Sequence, residues 1–298
     1  MGYSLRLAAA NSMSVVELYK LLRVNEPDGA AARQEQALAF LGGANPDALL
    51  GVFPIKLGRK AGIAFHGHAL PLKSMLRWRR PQVCPICVAK TGYCRRVWDL
   101  SLSVVCLEHQ CLLIDSCPTC KKNLTWTRPS PDWGKCQHYL GRNTKTVDVV
   151  PQHLLQHQEV LMDLFRPSRS SSVPSVMNEM QFSLGGWSAW AYAFGICERE
   201  TGSVNRGAYV SIPTTEKAVE LLTRAHARWQ LFRSIGSTDR EGLKWVVAEP
   251  PLIWLMAQSS DPHDRSAGLM IYRSVFGEKA LNEVIRRRGV AEQLTLFG

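Results

Sequence analysis

Cysteine and histidine recur twice in one order between residues 84 and 138, and this repeat constrains the chain more than any other feature. The first set is Cys84-Pro85-Ile86-Cys87 followed by Cys106-Leu107-Glu108-His109. The second set is Cys117-Pro118-Thr119-Cys120 followed by Cys136-Gln137-His138. A CxxC turn presents two thiolates together, and a second pair on a returning segment completes the closed tetrahedron typical of structural zinc. The repeat therefore predicts two Zn²⁺ ions.

Four protein ligands are expected at each ion, which leaves no open position for a catalytic water. The predicted ligands are Cys84, Cys87, Cys106 and His109 in the first site, and Cys117, Cys120, Cys136 and His138 in the second. Three other cysteines remain, Cys94, Cys111 and Cys197, and are interpreted as small buried apolar side chains. Cys94 or Cys111 could replace one of the named ligands.

Disulfide or redox use of the nine cysteines is a weaker interpretation. The chain begins Met1-Gly2-Tyr3, without the basic, apolar and small-residue order of a secretory signal, so a reducing cytoplasm is expected. A thioredoxin-like CxxC lacks the matching ligand pair that follows each CxxC here. No apolar run approaches the roughly twenty residues that span a bilayer, so no membrane partner is predicted.

The charge of the chain indicates a polyanionic partner. Lys and Arg exceed Asp and Glu by 36 to 25, a formal charge of +11, and six thiolates with two dications lower it to about +9. Residues 56–96 contain no acidic residue, and aromatic rings alternate with cations there, as on many nucleic-acid surfaces. The alternative is a solvated basic face. The predicted nucleic-acid contacts are Lys56, Arg59, Lys60, Lys73, Arg77, Trp78, Arg79, Arg80, Arg95 and Arg96.

Hydrophobic periodicity predicts a mainly α fold with small zinc-binding β elements in three parts. Residues 1–55 read as short helices at 4–10, 14–22, 30–41 and 46–51, the second opened by a capping box of Ser14 and Glu17. Such an order suits a helix-turn-helix-like bundle, although any small helical domain could look the same. Residues 56–150 form the basic segment and the tandem zinc region, and residues 151–298 form a helical domain.

Local patterns refine the second and third parts. Apolar residues alternate with polar ones from Trp98 to Val104, which predicts a half-buried strand that leads to Cys106 and His109. Helices are predicted at 153–165, 186–200, 216–233 and 279–288, with a linker at 166–175. The aromatic residues of 186–200 are interpreted as core.

Two stretches of the chain share a pattern with one known family. The first is CPIC at residues 84–87 with RRVW at 95–98 and VCLEHQCLLIDSCPTC at 105–120, and the second is SLRLAAAN at 4–11. Together they resemble the TniQ family. TniQ proteins and their longer TnsD relatives mark the insertion site of a transposon. The resemblance implies a homodimer that joins a Cascade-type CRISPR effector with its guide RNA to a TnsC-like AAA+ regulator on DNA. Stand-alone relatives bind a DNA attachment site instead.

The combined expectation is a non-catalytic target-site selection adaptor for DNA transposition, associated with the nucleoid when it is on DNA. The alternative is a stand-alone zinc-containing, sequence-specific DNA-binding protein, either an attachment-site selector or a transcription regulator. An enzyme is disfavoured, because a nuclease or integrase needs carboxylates clustered around magnesium. The available residues, Asp99, Asp115, Asp132 and Asp148, lie within or beside the zinc loops in no recognisable motif.

Overall fold

Helices at both ends of the chain flank a central region of short strands and turns. A computed structural model describes residues 2–22, 33–49, 53–57, 62–143, 149–166, 181–197, 211–235 and 240–288. These ranges contain ten α-helices and five short β-strands. The predicted fold class, mainly α with small β elements, is therefore confirmed.

The N-terminal helices are α1 (Gly2–Ala10), α2 (Val15–Leu21) and α3 (Arg33–Leu41). The predicted capping box opens α2: Ser14 Oγ accepts a hydrogen bond from the Glu17 N–H at 3.2 Å, and the Glu17 carboxylate accepts one from the Ser14 N–H at 2.7 Å. The helix predicted at 46–51 is a short 3-10 turn, Pro46–Leu49. Residues 30–32 of the predicted third helix lie outside the described ranges.

A small core holds these helices together and joins them to the central region. Leu5, Leu18, Tyr19 and Leu38 are buried in it, and Trp126 enters it from the zinc region. The Trp126 indole N–H also donates to the Arg77 backbone carbonyl at 3.2 Å. The N-terminal bundle therefore rests on the central region, and its proposed helix-turn-helix character stays a prediction.

The central region begins with a three-stranded antiparallel sheet of β1 (Ile55–Lys56), β2 (Ile63–Phe65) and β3 (His68–Leu70), in that order. A tight turn joins β2 to β3, with positive φ at His66 (50°) and Gly67 (79°), as a type I′ hairpin requires. The helix α4 (Pro85–Thr91) follows, and then the antiparallel pair β4 (Val105–Cys106) and β5 (Cys111–Leu112).

The strand predicted from Trp98 to Val104 is wrong. Residues Arg96–Asp99 form a 3-10 helix, and Ser101 and Ser103, predicted to face water, are fully buried. The buried Gln82 amide holds this path in place, because its Nε2 lies 3.1, 3.0 and 2.5 Å from the carbonyl oxygens of Trp98, Leu100 and Ser103 and shares its two N–H donors among them. The Ser103 hydroxyl also points inward, where it donates a hydrogen bond to Gln158 Oε1 at 3.3 Å.

The C-terminal part contains the remaining six helices: α5 (Gln152–Phe165), α6 (Leu184–Gly195), α7 (Thr215–Ser234), α8 (Glu249–Gln258), α9 (Pro262–Phe276) and α10 (Glu278–Arg288). Every residue of α6 is buried, so its aromatic residues are core, as predicted. Trp190 and Phe194 pack against Trp229 of α7 with ring centroids 5.6 and 5.4 Å apart.

One apolar core runs through the central and C-terminal parts, from Ile63 to Leu281. Gln158 of α5 accepts hydrogen bonds from the Ser103 hydroxyl and the Val105 N–H, so the central and C-terminal parts are packed together across residue 150. The predicted domain boundaries stay predictions. Among the described helices, none combines the length and apolarity that a membrane span requires.

Candidate metal centres

The first metal set is built by a helix start and a hairpin. Cys84 is the N-cap of α4, where its Sγ accepts a hydrogen bond from the Cys87 N–H at 3.4 Å, and Pro85 pre-organises the first turn. Cys106 ends β4, and His109 lies in the turn that leads to β5. A positive φ of 46° at Gln110 lets this turn close. Two tight local structures thus bring the four predicted ligands together.

The separations of these ligand atoms fit a zinc ion. His109 Nδ1 lies 3.6, 3.2 and 3.6 Å from the sulfurs of Cys84, Cys87 and Cys106, and Cys87 Sγ lies 3.7 Å from Cys106 Sγ. In a regular tetrahedron with Zn–S bonds of about 2.3 Å, two sulfurs are about 3.8 Å apart and a sulfur and a nitrogen about 3.6 Å. The donors could therefore hold zinc with little movement.

The second set is built from two facing turns. The Cys117 carbonyl accepts from the Lys121 N–H at 2.9 Å, and Lys121 has a φ of 59°. In the opposite turn the Gly134 N–H donates to the His138 carbonyl at 2.9 Å, and Gln137 has a φ of 61°. A Cβ at Gly134 would lie 2.9 Å from Cys136 Sγ, so a larger residue here would press on a predicted ligand atom.

The four predicted ligands of the second set also converge. The donor atoms of Cys117, Cys120, Cys136 and His138 all lie within 4.8 Å of one another, as those of the first set do. Cys117 Sγ is 3.5 Å from His138 Nδ1, which is again the separation expected for two ligands of one ion. Both Cys₃His sets could therefore bind a metal ion, and thiolate with imidazole favours zinc among the common divalent ions.

The thiols of the first set need a cation to ionise. Burial, and then the neighbouring Cys106, raise the pKa of Cys87 to about 11. At neutral pH this thiol keeps its proton until a metal ion replaces it, so metal binding releases protons and is coupled to folding. The metal would add to the stability that these short segments already gain from the shared apolar core.

The remaining cysteines occupy three different environments. Cys94 Sγ accepts from the buried Arg128 guanidinium at 3.4 Å, and Cys197 is buried just after α6. Cys111, in contrast, places its Sγ 3.6 Å from Cys84 Sγ. The open alternative for Cys94 therefore has no support in the geometry, whereas Cys111 lies beside the first set.

Two of the predicted nucleic-acid contacts must be corrected. Arg77 is 1% exposed, and its guanidinium donates to Asp115 Oδ2 at 3.2 Å and to Thr215 Oγ1 at 3.4 Å. Trp78 is 9% exposed and belongs to the apolar core. Both side chains hold the fold together and are not available to a phosphate backbone. Sequence reasoning missed this because the anionic partner, Asp115, is 38 residues away.

The other eight predicted contacts are described by the structure to different extents. Arg79, Arg95 and Arg96 are exposed and Arg80 is half-buried. Arg95 forms an ion pair with Glu108, which neutralises part of its charge. The backbones of Lys56 and Lys73 are described without their side chains, and Arg59 and Lys60 lie outside the described ranges. The predicted surface is thus reduced to four arginines whose positions are known.

A comparison with known protein families matches the N-terminal part of the chain. The family model TniQ matches residues 1–113, a stretch that contains α1 to α4 and all four donors of the first metal set. None of the curated proteins matches the chain. A TniQ domain implies a transposition-associated protein. The match over residues 1–113 supports the membership of this chain in the TniQ family.

Proposed function

We propose that this protein is a non-catalytic target-site selection adaptor for DNA transposition. It would link a target-recognition complex, an RNA-guided Cascade, to the TnsC-like AAA+ regulator. The observation that carries the proposal is the TniQ match over residues 1–113. The paired Cys₃His sets, which sequence spacing and geometry both support, agree with it.

A structural role for the two ions supports the absence of bond chemistry. Each set offers four protein donors, and a catalytic zinc keeps one position open for water or substrate. Cys84 and Cys117 are completely buried, so the donors face the protein interior on at least one side. The ions would hold the central region rigid beneath the N-terminal bundle, through contacts such as that of Trp126.

Nucleic-acid contact in this proposal is electrostatic and independent of sequence. With both ions bound the chain keeps a charge of about +9, and Arg79, Arg80, Arg95 and Arg96 lie at or near the surface. Lysine and arginine contacts to phosphates give affinity without base discrimination. Base pairing of the guide RNA would supply the sequence specificity.

Partner binding would convert this affinity into site choice. A homodimer bound to Cascade brings two copies of the regulator-binding surface to one location on DNA. A second binding event on an already bound complex is effectively intramolecular, so moderate contacts suffice to raise the local concentration of the regulator. No covalent step by this chain is needed.

Co-purification tests the proposal. A tagged copy is expressed with its neighbouring genes, and bound proteins and RNA are identified at increasing salt, with an untagged copy as the control. We expect CRISPR effector subunits, a guide RNA and the AAA+ regulator. Recovery of the protein alone, with tight binding to one duplex sequence, would contradict the RNA-guided role and favour a self-sufficient DNA-site selector or a transcription regulator.

A further inference from the structure

A fifth soft donor lies beside the first metal set. Cys111 Sγ is 3.6 Å from Cys84 Sγ, and the side chain is only 6% exposed. Two thiolates on one zinc ion are about 3.8 Å apart. Cys111 therefore already stands at a ligand's distance from Cys84, although the first set is complete without it.

The β4–β5 hairpin explains why Cys111 faces the metal. Cys106 and Cys111 are directly paired in the register of this hairpin. Side chains directly opposite each other in an antiparallel pair project from the same face. Cys111 therefore projects from the same face of the hairpin as Cys106, one of the four donors of the first set.

His109 is the ligand on the solvent side. Its Nε2 lies 3.4 Å from Lys90 Nζ and 3.8 Å from Glu108 Oε1, and both of these partners are exposed. Cys111, in contrast, belongs to the apolar core. The imidazole and the spare thiol thus approach the site from the surface and from the interior.

We infer that Cys111 is a reserve ligand of the first site. With His109 bound, the site is Cys₃His and the Cys111 thiol packs against the Cys84 sulfur. When His109 is lost, the Cys111 sulfur binds the ion from the interior as the fourth donor, its thiol proton passes to solvent, and the three remaining cysteines rearrange around the ion so that the site closes as Cys₄. The number of donors stays at four, and no oxidant or reductant is required.

The second site provides the matched control within the same chain. Its donors are Cys117, Cys120, Cys136 and His138. Of the three cysteines outside both sets, Cys111 lies at the first site and Cys94 is bound to Arg128. Cys197 follows α6 and is buried near Arg228, whose guanidinium donates to its carbonyl at 2.8 Å. Loss of His138 should therefore go uncompensated.

The test compares His109→Gln, His138→Gln, Cys111→Ser and the double variant His109→Gln/Cys111→Ser in the full chain. Each protein is purified with zinc, its metal content per chain is measured by elemental analysis, and its folding is followed by thermal unfolding. The bound zinc is then replaced by cobalt, because sulfur-to-cobalt charge-transfer absorption increases with the number of thiolate ligands.

We expect His109→Gln and Cys111→Ser to retain both ions, and His138→Gln and the double variant to lose one ion each. His109→Gln should also gain thiolate-to-cobalt absorption relative to the unchanged protein. The inference is overturned if His109→Gln loses its ion or fails to fold while Cys111→Ser remains intact. It is equally overturned if the double variant keeps both ions, because a donor other than Cys111, such as water, would then complete the coordination of the first ion.

Discussion

The buried ion pair of Arg77 and Asp115 allows the structural role of Arg77 to be tested against its predicted contact with nucleic acid. The Arg77 side chain is 0% exposed and that of Asp115 12%. Asp115 Oδ2 also accepts from the Thr215 N–H at 2.9 Å, so one carboxylate connects the zinc region to the start of α7. Burial lowers the pKa of Arg77 to about 10, and the guanidinium therefore remains charged at neutral pH.

Replacement of Asp115 by Ala would leave this charge buried without its partner. Breaking a buried pair in this way costs about 3–5 kcal/mol, whereas replacing both partners by apolar residues is often nearly neutral. We therefore expect Asp115→Ala to lower the free energy of unfolding by about 3–5 kcal/mol. The double variant Arg77→Met/Asp115→Leu should recover most of that loss.

Urea unfolding of the zinc-loaded chain measures the free energy of unfolding of both variants. The affinity of each variant for a short duplex, measured well below its melting temperature, tests whether Arg77 contacts nucleic acid. The double variant should bind the duplex as well as the unchanged protein. A loss below about 1 kcal/mol for Asp115→Ala would refute the structural role. Loss of duplex binding by a stable double variant would restore the contact predicted from the sequence.

Three further predictions concern other parts of the fold. Gly186→Ala should lower the free energy of unfolding by about 1–3 kcal/mol, because the added Cβ would lie 1.9 Å from the Asp264 carboxylate oxygen of α9. Gly242→Ala is the control: its Cβ would meet nothing within 4 Å, so it should leave the stability in the same urea assay unchanged. Burial lowers the pKa of His157 to about 3 in the folded protein, below its unfolded value near 6.5. As the pH falls from about 6.5 to about 3, the unfolded chain binds a proton that the folded chain does not, so the folded state loses stability. Between pH 7 and pH 5 the unchanged protein should lose about 2 kcal/mol more than His157→Phe; equal losses would contradict the assignment. The double variant Arg79→Gln/Arg96→Gln should flatten the slope of log affinity for a duplex against log salt concentration by the amount that corresponds to about two phosphate contacts. An unchanged slope would show that these two arginines do not contact the phosphates.

The ligand sets could be predicted because metal coordination imposes a local, readable spacing. A CxxC turn and a returning Cys/His pair are short-range features, and all eight predicted ligands converge as expected. The capping box of α2 and the amphipathic helices α5 and α7 were predictable for the same reason. Their signals lie within a few residues of one another.

The errors arose where a distant partner decides the outcome. Arg77 appeared to belong to a basic surface, because neither Asp115 nor Thr215 can be recognised as its partner from the sequence. The segment from Trp98 to Val104 has the period of a strand, but the Gln82 amide draws its carbonyls inward. Cys111 was predictable only as a leftover thiol, since its position depends on the register of a two-residue hairpin.

The most direct test of target selection is to sequence transposon insertion sites in cells that carry the complete transposon with this gene intact, deleted, or replaced by a Cys87→Ser/Cys106→Ser variant. If the protein selects the target as an adaptor, insertions cluster at one position with the intact gene. The cluster disappears with the deletion and with the variant that cannot hold the first ion. An unchanged distribution of insertion sites in the deletion strain would contradict the account.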